Sequence, residues 1–338
     1  MVRVAVVGLG FMGKTHLGIY AGLPNVEVGA LCDIRREVLE AGGPDTGGNI
    51  QTAAADLDLT RIRTFAEYEA LIDEGGFDVV DLCVPTHLHV DYAVSALERG
   101  YDVFCEKPLT LDLESARRMT AVAANSDRLC AVGQCLRHWP VYVEMKSLVE
   151  SGRYGAVRFA EFSRFSSPPT WSWDDWLLDP SRSGDAALDL HVHDVDTILN
   201  FFGLPTSVRS QGSVDSSSGI SHISTVYGYP GKSVMSTGGW RCSSSFGFNM
   251  RAMLVLERAT VEMDFSRQPV CTVYPEDGEK YPLPFGDGDG YYHELVGFVD
   301  AVEKRDPSRL VTVDAAADSV RVALAEIQSV RENREIVL

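Results

Sequence analysis

The amino-acid sequence predicts an α/β protein with two domains, a doubly wound parallel sheet followed by a domain built on a largely antiparallel, mixed sheet. Short apolar runs alternate with helical patterns over roughly the first 130 residues, and a glycine-rich loop follows the first run. Several strand-like runs then come without long helices between Val208 and Val273. At 338 residues and 45% hydrophobic composition the chain can fill two cores. We place the first domain at residues 1–128 and the second at residues 129–338.

The first domain is predicted from strands and helices that follow one another in order. The predicted strands are RVAVV, VEVGALC, DVVDLCV and DVFC, and helices that end near Gly22, Glu74 and Gly100 separate them. Such alternation is typical of βαβ units, whose strands lie parallel with helices on both faces of the sheet. The glycine-rich segment 41–59 interrupts the pattern, and we expect it to be a surface loop without a function of its own.

The second domain is predicted to begin with the strand LCAVGQC, a helix from Val141 to Glu150 and the strand AVRFAEFSRF. Further strand-like runs are STVYGY, KSVMSTGGW, FNMRAMLVLE and ATVEMDF. The alternation in AVRFAEFSRF is typical of a strand with one exposed face, as in an antiparallel sheet. Helical patterns follow at Tyr291 to Glu303 and at Ala315 to Glu332.

Charge and composition exclude several classes of function. A formal net charge of -18 disfavours a nucleic-acid or anionic-membrane partner, because both would be repelled at long range. No basic leader and no apolar stretch of about 20 residues is apparent, so we expect a cytoplasmic protein. The seven cysteines form no C-x-x-C pair, and we interpret them as reduced, buried residues. A small-molecule substrate is therefore expected.

The segment VVGLGFMG predicts a dinucleotide site. It places Gly8, Gly10 and Gly13 between an apolar strand and a helix, which is the context that G-x-G-x-x-G requires. Gly8 permits a tight turn, Gly10 lets the main chain approach a pyrophosphate, and Gly13 allows close helix packing. Phe11 and Met12 begin the helix, whose N-terminus favours phosphate groups. We therefore predict that all five residues contact the cofactor.

A carboxylate at the end of the second strand indicates which dinucleotide binds. Asp33 follows Gly13 by 20 residues, where it can accept hydrogen bonds from ribose hydroxyls. It should also repel a 2′-phosphate, so NAD is expected and NADP is less favoured. Arg35 and Arg36 keep NADP open, because either side chain could turn toward a 2′-phosphate.

The stretch DLHVHDVD crowds two histidines and three aspartates into eight residues. If residues 188–200 are helical, Asp189, His193 and Asp196 share one face and His191 points elsewhere. On this interpretation His193 is an acid/base group and no metal is bound. A short strand would instead place His191 and His193 on one face as metal ligands. A polar helix start without chemistry is the third interpretation.

Three segments resemble the Gfo/Idh/MocA family of NAD(P)-dependent oxidoreductases: VGLGFMGKTH, PTHLHVDYAVSALERGYDVFCEKPLT and DLHVHDVD. The resemblance covers essentially the whole chain. It implies a Rossmann domain, an open-faced mixed sheet, a substrate cleft between them, and hydride transfer on sugars, cyclitols or their acids and amines. It also implies a homodimer or homotetramer formed through the second sheet. The chain differs from the family pattern at His191, where glycine is common, and at 183–185, where a glycine run is common.

The resemblance assigns roles to individual residues. Lys107 corresponds to the active-site lysine of the family, and Asp189 and His193 correspond to its Asp and His. The other expected cofactor contacts are Pro85, Thr86, His89, Glu106 and Lys107. Alcohol oxidation needs a group that takes the hydroxyl proton, and either His193 or Lys107 could do so. Asp189 would bind a substrate hydroxyl or stabilise the imidazolium.

Three tryptophans precede DLHVHDVD. Trp171, Trp173 and Trp176 lie beside Asp174 and Asp175, and a polyol pocket would use both indole faces and carboxylates. The tryptophans could equally anchor a loop or a subunit contact. The predicted substrate contacts are Lys107, Trp171, Trp173, Asp189 and His193.

Three functions remain open from the sequence. The first is an NAD-dependent dehydrogenase of a sugar or cyclitol. The second is a glycoside-cleaving enzyme that uses tightly held NAD for transient oxidation at carbon 3. The third is a nucleotide-binding sensor without catalysis, which the presence of Lys107, Asp189 and His193 disfavours.

Overall fold

A computed structural model describes residues 1–40, 48, 62–215 and 219–338. The segment 41–59, predicted as a surface loop, lies outside the described residues except for Gly48. Among the described residues, no helix combines the length and the apolar character that a membrane span requires.

The first sheet has six strands within the described residues, and every neighbouring pair is parallel. The strands are β1 (Val2–Val7), β2 (Val26–Cys32), β3 (Arg63–Phe65), β4 (Val79–Leu82), β5 (Asp102–Glu106) and β6 (Cys130–Gly133). Their spatial order is β3-β2-β1-β4-β5-β6. This order confirms the predicted doubly wound sheet, and it places the ligand-binding crevice between the ends of β1 and β4.

Helices cover both faces of this sheet. The helices of the N-terminal half are α1 (Phe11–Ala21), α2 (Tyr68–Glu74), α3 (His89–Glu98) and α4 (Leu113–Ala124). In β1, Val4 and Val6 pack on the side of α1, whereas Ala5 and Val7 pack on the side of α2, α3 and α4. Because both faces are buried from Val4 to Val7, this part of the strand is a continuous apolar run and not an alternating one.

The predicted domain boundary falls one strand too early. The segment LCAVGQC, predicted to begin the second domain, contains β6, which pairs with β5 in the first sheet. The first sheet therefore extends past residue 128 to Gly133. The pattern change after Asn125 marks the end of α4, since a buried strand has the same local pattern in either domain.

The second sheet has nine strands within the described part of the chain, in the order β14-β13-β12-β11-β7-β10-β9-β8-β15. Its strands are β7 (Val157–Ser166), β8 (Ser207–Val214), β9 (Ile220–Tyr229), β10 (Lys232–Gly239), β11 (Phe248–Leu256), β12 (Ala259–Asp264), β13 (Cys271–Pro275), β14 (Tyr281–Pro282) and β15 (Ile336–Val337). Only β7 and β10 pair in parallel, and the other described pairs are antiparallel. The expected mixed, largely antiparallel sheet is confirmed.

One face of the second sheet is covered and the other is open. The helices of the C-terminal half are α5 (Pro140–Glu150), α6 (Pro180–Ser183), α7 (Asp185–Leu188), α8 (Val192–Phe202), α9 (Gly290–Lys304) and α10 (Val313–Glu332). Helices α7, α8 and α10 contact the covered face. The open face exposes apolar side chains, with Val226 at 51%, Met253 at 37% and Tyr274 at 37%.

The last two helices join the halves. Leu295 and Phe298 of α9 are buried with α1 against the first sheet. Val313 and Val320 of α10 are buried on the opposite face of that sheet, and Val322 belongs to the core of the second sheet. Each such buried side chain contributes about 1.5–3 kcal/mol. The C-terminal helices thus hold the two sheets in one orientation and fix the cleft between them.

Candidate active site

A cavity of about 450 Å³ lies between the two halves, at the carboxyl edge of the first sheet. Predicted site residues of the first half that line it are Gly8, Gly10, Phe11, Met12, Asp33, Pro85, Glu106 and Lys107. Those of the second half are Trp171, Trp173, Asp189 and His193, together with Trp176. Segments far apart in sequence are thereby brought to one chamber, as a substrate cleft requires.

The glycine loop has the shape of a phosphate cradle. Gly8 has φ +88°, and a Cβ there would lie 2.4 Å from the carbonyl oxygen of Cys83. A Cβ on Gly13 would lie 1.8 Å from the carbonyl oxygen of Gly8, whereas one on Gly10 would meet nothing within 4 Å. Among the described residues, the main chain at Gly10 is therefore open to a ligand, and the N-terminus of α1 has no side-chain cap. These features fit the pyrophosphate of a dinucleotide.

Asp33 is fixed at the end of β2. Its Oδ2 accepts a hydrogen bond from the main-chain N–H of Leu9 at 2.7 Å, which ties the carboxylate to the glycine loop. Arg35 donates from Nε to Oδ1 and from Nη2 to Oδ2, both at 3.0 Å. Ribose hydroxyls would share this carboxylate with Arg35, so Arg35 is the arginine placed to meet a 2′-phosphate. Arg36 is not among the residues that line the cavity.

Trp173 connects the two halves above Asp33. Its ring centroid lies 5.9 Å from the guanidinium carbon of Arg35 and 5.9 Å from that of Arg182. Arg182 also donates to Asp174 Oδ2 at 2.9 Å. The tryptophan segment therefore covers the Asp33 end of the cavity through cation–π contacts.

Lys107 and Asp189 meet across the cavity. Lys107 Nζ donates to Asp189 Oδ1 at 3.1 Å and to the Asp189 carbonyl oxygen at 2.9 Å. Behind Lys107, its main-chain N–H donates to Glu106 Oε2 at 3.0 Å. The lysine is therefore fixed at both its main chain and its ammonium group.

The two histidines of DLHVHDVD lie in different surroundings. His193 lines the cavity, and its buried Nδ1 has no hydrogen-bond partner among the residues that the structure describes. Burial, with the positive charges of Lys107 and Arg164, holds the pKa of His193 well below its ordinary value. His191 is fully buried away from the cavity, with Nε2 3.1 Å from Glu326 Oε2 and 3.2 Å from Ser236 Oγ.

The helix predicted over residues 188–200 is wrong at its start. Helix α7 ends at Leu188, a turn follows, and α8 begins at Val192. In this turn the N–H of His191 bonds the carbonyl oxygen of Ala186, five residues back, at 2.9 Å. Asp196, predicted on the face of Asp189 and His193, instead pairs with Arg137 at 2.7 Å and accepts from Ser319 at 2.8 Å.

Two family models match the chain. One is described as "Oxidoreductase family, NAD-binding Rossmann fold" and covers residues 2–134, and the other is the "GFO/IDH/MocA C-terminal domain" at residues 142–262. The chain belongs to the Gfo/Idh/MocA oxidoreductase family. Its first half is accordingly an NAD-binding Rossmann domain, and the protein is an NAD-dependent oxidoreductase.

Relatives of this family match nearly end to end. Inositol 2-dehydrogenase of Rhizobium meliloti is 25% identical over 99% of this chain and 98% of its own length. The scyllo-inositol 2-dehydrogenase (NAD(+)) of Bacillus subtilis is 24% identical over 100% of this chain and 96% of its own. The solved structure of levoglucosan dehydrogenase, in complex with NADH and levoglucosan, shares the fold, with a TM-score of 0.84 at 18% identity over 99% of both chains.

Three residues predicted to contact the cofactor do not line the cavity. Gly13 packs beneath the loop at Gly8, and Thr86 is buried. The His89 ring bridges the carbonyl oxygens of Val84 and Pro108, both at 2.8 Å. His89 thus ties the chain after β4 to the chain after β5. The segment after β4 lines the cavity through Pro85, His87 and Leu88, whereas Thr86 and His89 do not line it.

Sequence reasoning missed several groups at this Gfo/Idh/MocA site. Tyr291, at the start of α9, lines the cavity, although the sequence indicated only a helical pattern there. Two groups of side chains that could hold a metal ion occur among the described residues, His16–Asp81–Cys83 and His16–Glu106–Glu294. Neither includes a histidine of DLHVHDVD. One signal was available, because Asp81 interrupts an apolar strand and a buried carboxylate requires a partner.

Proposed function

We propose that this enzyme oxidises a hydroxyl group of a cyclitol, sugar or related polyol to a carbonyl group, with Lys107, Asp189 and His193 as its catalytic centre. The observation that carries the proposal is that these three residues share one cavity with the dinucleotide loop. The names of the inositol and levoglucosan dehydrogenases support a polyol as the substrate.

NAD, when bound, supplies the acceptor for the hydride that leaves the substrate carbon. The glycine cradle at residues 8–13 and the carboxylate of Asp33 would hold the pyrophosphate and the adenosine ribose. Since Lys107 stands at the end of β5 across the crevice from that loop, the reacting hydroxyl belongs between Lys107 and His193. The chain then has to remove one proton from that hydroxyl.

Lys107 has one donor left for the substrate. An ammonium group has three N–H donors, and two of them go to the Oδ1 and carbonyl oxygens of Asp189. The third would bind the substrate oxygen and stabilise the negative charge that develops as its proton leaves. Asp189 orients the side chain of Lys107 and holds its ammonium group at the position where the substrate oxygen would bind.

His193 is the proposed general base. Its lowered pKa keeps the imidazole neutral near pH 7, so that it can accept a proton. Its Nδ1 is buried, and Nε2 is the ring nitrogen that we propose to accept the proton of the substrate. In the forward direction the C–H electron pair leaves with hydrogen as hydride, the hydroxyl proton goes to His193, and the carbonyl group forms.

The tryptophans are proposed to recognise the ring of the substrate. Four tryptophans of the second half line the cavity: Trp171, Trp173, Trp176 and Trp240. Indole faces pack against the C–H faces of a sugar or cyclitol, while Lys107, Asp189 and His193 would form hydrogen bonds with one of its hydroxyl groups. A cavity with apolar walls and a few convergent polar groups fits such a ring better than it fits a small acid or an aldehyde.

A panel of cyclitols and sugars with NAD and with NADP tests this function by NADH absorbance. Steady NADH formation with at least one polyol, faster with NAD than with NADP, is the expected result. Release of an aglycone without net NADH would point instead to the glycoside-cleaving enzyme. Cofactor binding without turnover on any substrate of the panel would favour the sensor.

The open face of the second sheet supports assembly into a homodimer or homotetramer. Val226, Met253 and Tyr274 are exposed there, and an apolar patch on a broad sheet face marks an interface. Light scattering at micromolar concentration should give a multiple of the 37.0 kDa chain. A Val226→Lys, Met253→Glu variant should reduce it to a monomer.

The seven free cysteines support a reducing compartment such as the cytoplasm.

A further inference from the structure

Four ionisable side chains meet beneath the cavity floor, each from a different element. They are His16 of α1, Asp81 of β4, Glu106 of β5 and Glu294 of α9, and we call them the His16 cluster. His16 Nδ1 lies 2.8 Å from Asp81 Oδ2, and His16 Nε2 lies 3.2 Å from Glu106 Oε1. His16, Glu106 and Glu294 offer atoms that all lie within 4.8 Å of one another. Every member is buried, with at most 5% exposure.

The cluster has more acidic groups than positive charge. His16 is the one basic member, and its two ring nitrogens face carboxylates of Asp81 and Glu106. Burial disfavours the imidazolium, but the attraction of Asp81 and contacts with Asp81 and Cys83 together outweigh it and raise the pKa of His16. A charged His16 can then neutralise only part of three carboxylates, and close buried carboxylates cannot all be ionised.

Glu294 is the member that must carry a proton. It is 3% exposed, and within the described part of the chain neither of its carboxyl oxygens has a hydrogen-bond partner. Asp81 faces the ring of His16, and Glu106 accepts from the main chain of Lys107, so both of those carboxylates have donors. Burial, followed by the charge of Glu106, raises the pKa of Glu294 well above its ordinary value.

Glu106 links the cluster to the catalytic centre. Its Oε2 accepts the main-chain N–H of Lys107 at 3.0 Å, while Oε1 faces His16. A Cβ on Gly133, in the neighbouring strand β6, would lie 3.0 Å from Glu106 Oε1, so the carboxylate is confined from that side as well. Any displacement of Glu106 would therefore move the peptide that carries Lys107.

We propose that Glu294 is a positioning residue that stays protonated, so that Glu106 keeps its contacts with His16 and with the main chain of Lys107 and the ammonium group of Lys107 remains on Asp189. This inference rests on the proposed function of Lys107. Ionisation of Glu294 would place a second negative charge against Glu106, push that side chain away and release Lys107. The cluster thus acts on the reaction without touching the substrate.

Several groups face Glu294 and bear on its protonation. They are Glu106 of β5, His16 and Tyr20 of α1, Asp81 of β4, Asp289 before α9, Tyr291 of α9 and Cys135 after β6. Only His16 among them supplies positive charge. A neutral Glu294 is the state that this set favours.

Infrared difference spectroscopy tests the proton without any substrate. The spectrum of the unmodified protein minus that of Glu294→Gln should show the carbonyl band of a protonated carboxylic acid at pH 7. Asp300→Asn, on the exposed side of the same helix, is the matched control. This variant should keep the band, so that the band is missing from the spectrum of the unmodified protein minus that of Asp300→Asn. A difference spectrum with only carboxylate bands would overturn the proposal, whatever the substrate proves to be.

Kinetics test the positioning role. Glu294→Gln, which copies the neutral acid, should keep kcat near pH 7 within roughly threefold, and Glu294→Ala should lose on the order of 10²-fold. The alkaline fall in kcat caused by ionisation of Glu294 should be missing in Glu294→Gln. If Glu294→Gln were as inactive as Glu294→Ala, or kept the same alkaline fall, the proposal would be wrong.

Metal analysis tests the remaining alternative, which is that the His16 cluster binds a metal ion. Stoichiometric zinc or iron in the purified protein that is lost in Glu294→Gln would make the cluster a metal site and overturn the protonated acid. A protein without such metal, together with the infrared band, supports the proposal even if the polyol panel gives no turnover. Failure of the positioning role and failure of the dehydrogenase are therefore distinguishable.

Discussion

The region around His193 and the region around His191 are separated by one residue, yet the groups that surround the two imidazoles differ. His193 faces a cavity and lies close to the ammonium group of Lys107. His191 is sealed against Glu326 of α10 and Ser236 of β10. The partner of His191 lies more than a hundred residues along the chain. The role of a histidine is therefore set by what folds against it, and the two regions should respond oppositely to the same substitution.

His193→Ala should give the largest effect. Loss of a positioned proton acceptor lowers kcat by roughly 10²- to 10⁴-fold, while NAD affinity stays nearly intact. The melting temperature should change little, because His193 makes no hydrogen bond that the protein would lose. Steady-state NADH formation and calorimetry on the same preparation measure both quantities. A fall in stability with kcat preserved would reverse the assignment of the two regions.

His191→Ala should do the opposite. It leaves the buried Glu326 without its ion-pair partner, and breaking a buried pair from one side costs about 3–5 kcal/mol of unfolding free energy. The kcat of the folded fraction should stay near that of the unmodified enzyme. Adding Glu326→Gln should recover part of the lost stability in urea unfolding, since it removes the unpaired charge. Equal damage to kcat from both histidine variants, with release of a metal, would favour the two-histidine metal site.

Asp33→Ser should have a smaller effect at the far end of the cavity. Losing the ribose acceptor weakens NAD use by about tenfold and relieves repulsion of a 2′-phosphate, so the ratio of NADP to NAD use rises. Adding Arg35→Ala should abolish the gain in NADP use, because Arg35 is the cation beside that position. Better use of NADP than of NAD by the unmodified enzyme would contradict the role of Asp33.

The pH dependence of stability should also separate the two histidines, by smaller amounts. Burial disfavours a charged His191, but the negative charge of Glu326 outweighs this effect and raises the pKa of His191. The stabilisation that charged His191 contributes is therefore complete below about pH 6.5 and is lost as pH rises through the pKa of the folded state. The pKa of His193 is lowered, so the folded state loses stability as pH falls below about 6.5. His193→Ala should flatten the acid side of the curve and His191→Ala the alkaline side. Identical curves would remove the contrast.

The sequence predicted what depends on local patterns. The parallel sheet, the glycine loop and the strands β7 and β9 to β12 follow from apolar periodicity and turn residues, which act within a few positions. The strand β6 was assigned to the wrong domain because a buried strand looks the same in either sheet. The turn at 189–191 was missed because no glycine or proline marks it, and the ion pair of Asp196 with Arg137 was missed because the two residues are distant in the sequence.

Long-range partners could not be predicted. Glu294 meets His16 and Glu106 only because α9 returns to pack on the first sheet, and nothing near residue 294 indicates this. The same holds for Glu326 beside His191. In contrast, Lys107, Asp189 and His193 all line the cavity, and the family resemblance placed them in one site because it carries three-dimensional information that spacing lacks. Their catalytic roles stay predictions.

Single-turnover mixing of the enzyme–NAD complex with the best polyol of the panel tests the central role of Lys107 most directly. Lys107→Ala should form NADH roughly 10²- to 10⁴-fold more slowly than the unmodified enzyme. Lys146→Ala, which removes a more exposed lysine on α5, is the control and should keep the unmodified rate. NADH formation by Lys107→Ala at the rate of the control would contradict the catalytic centre proposed here.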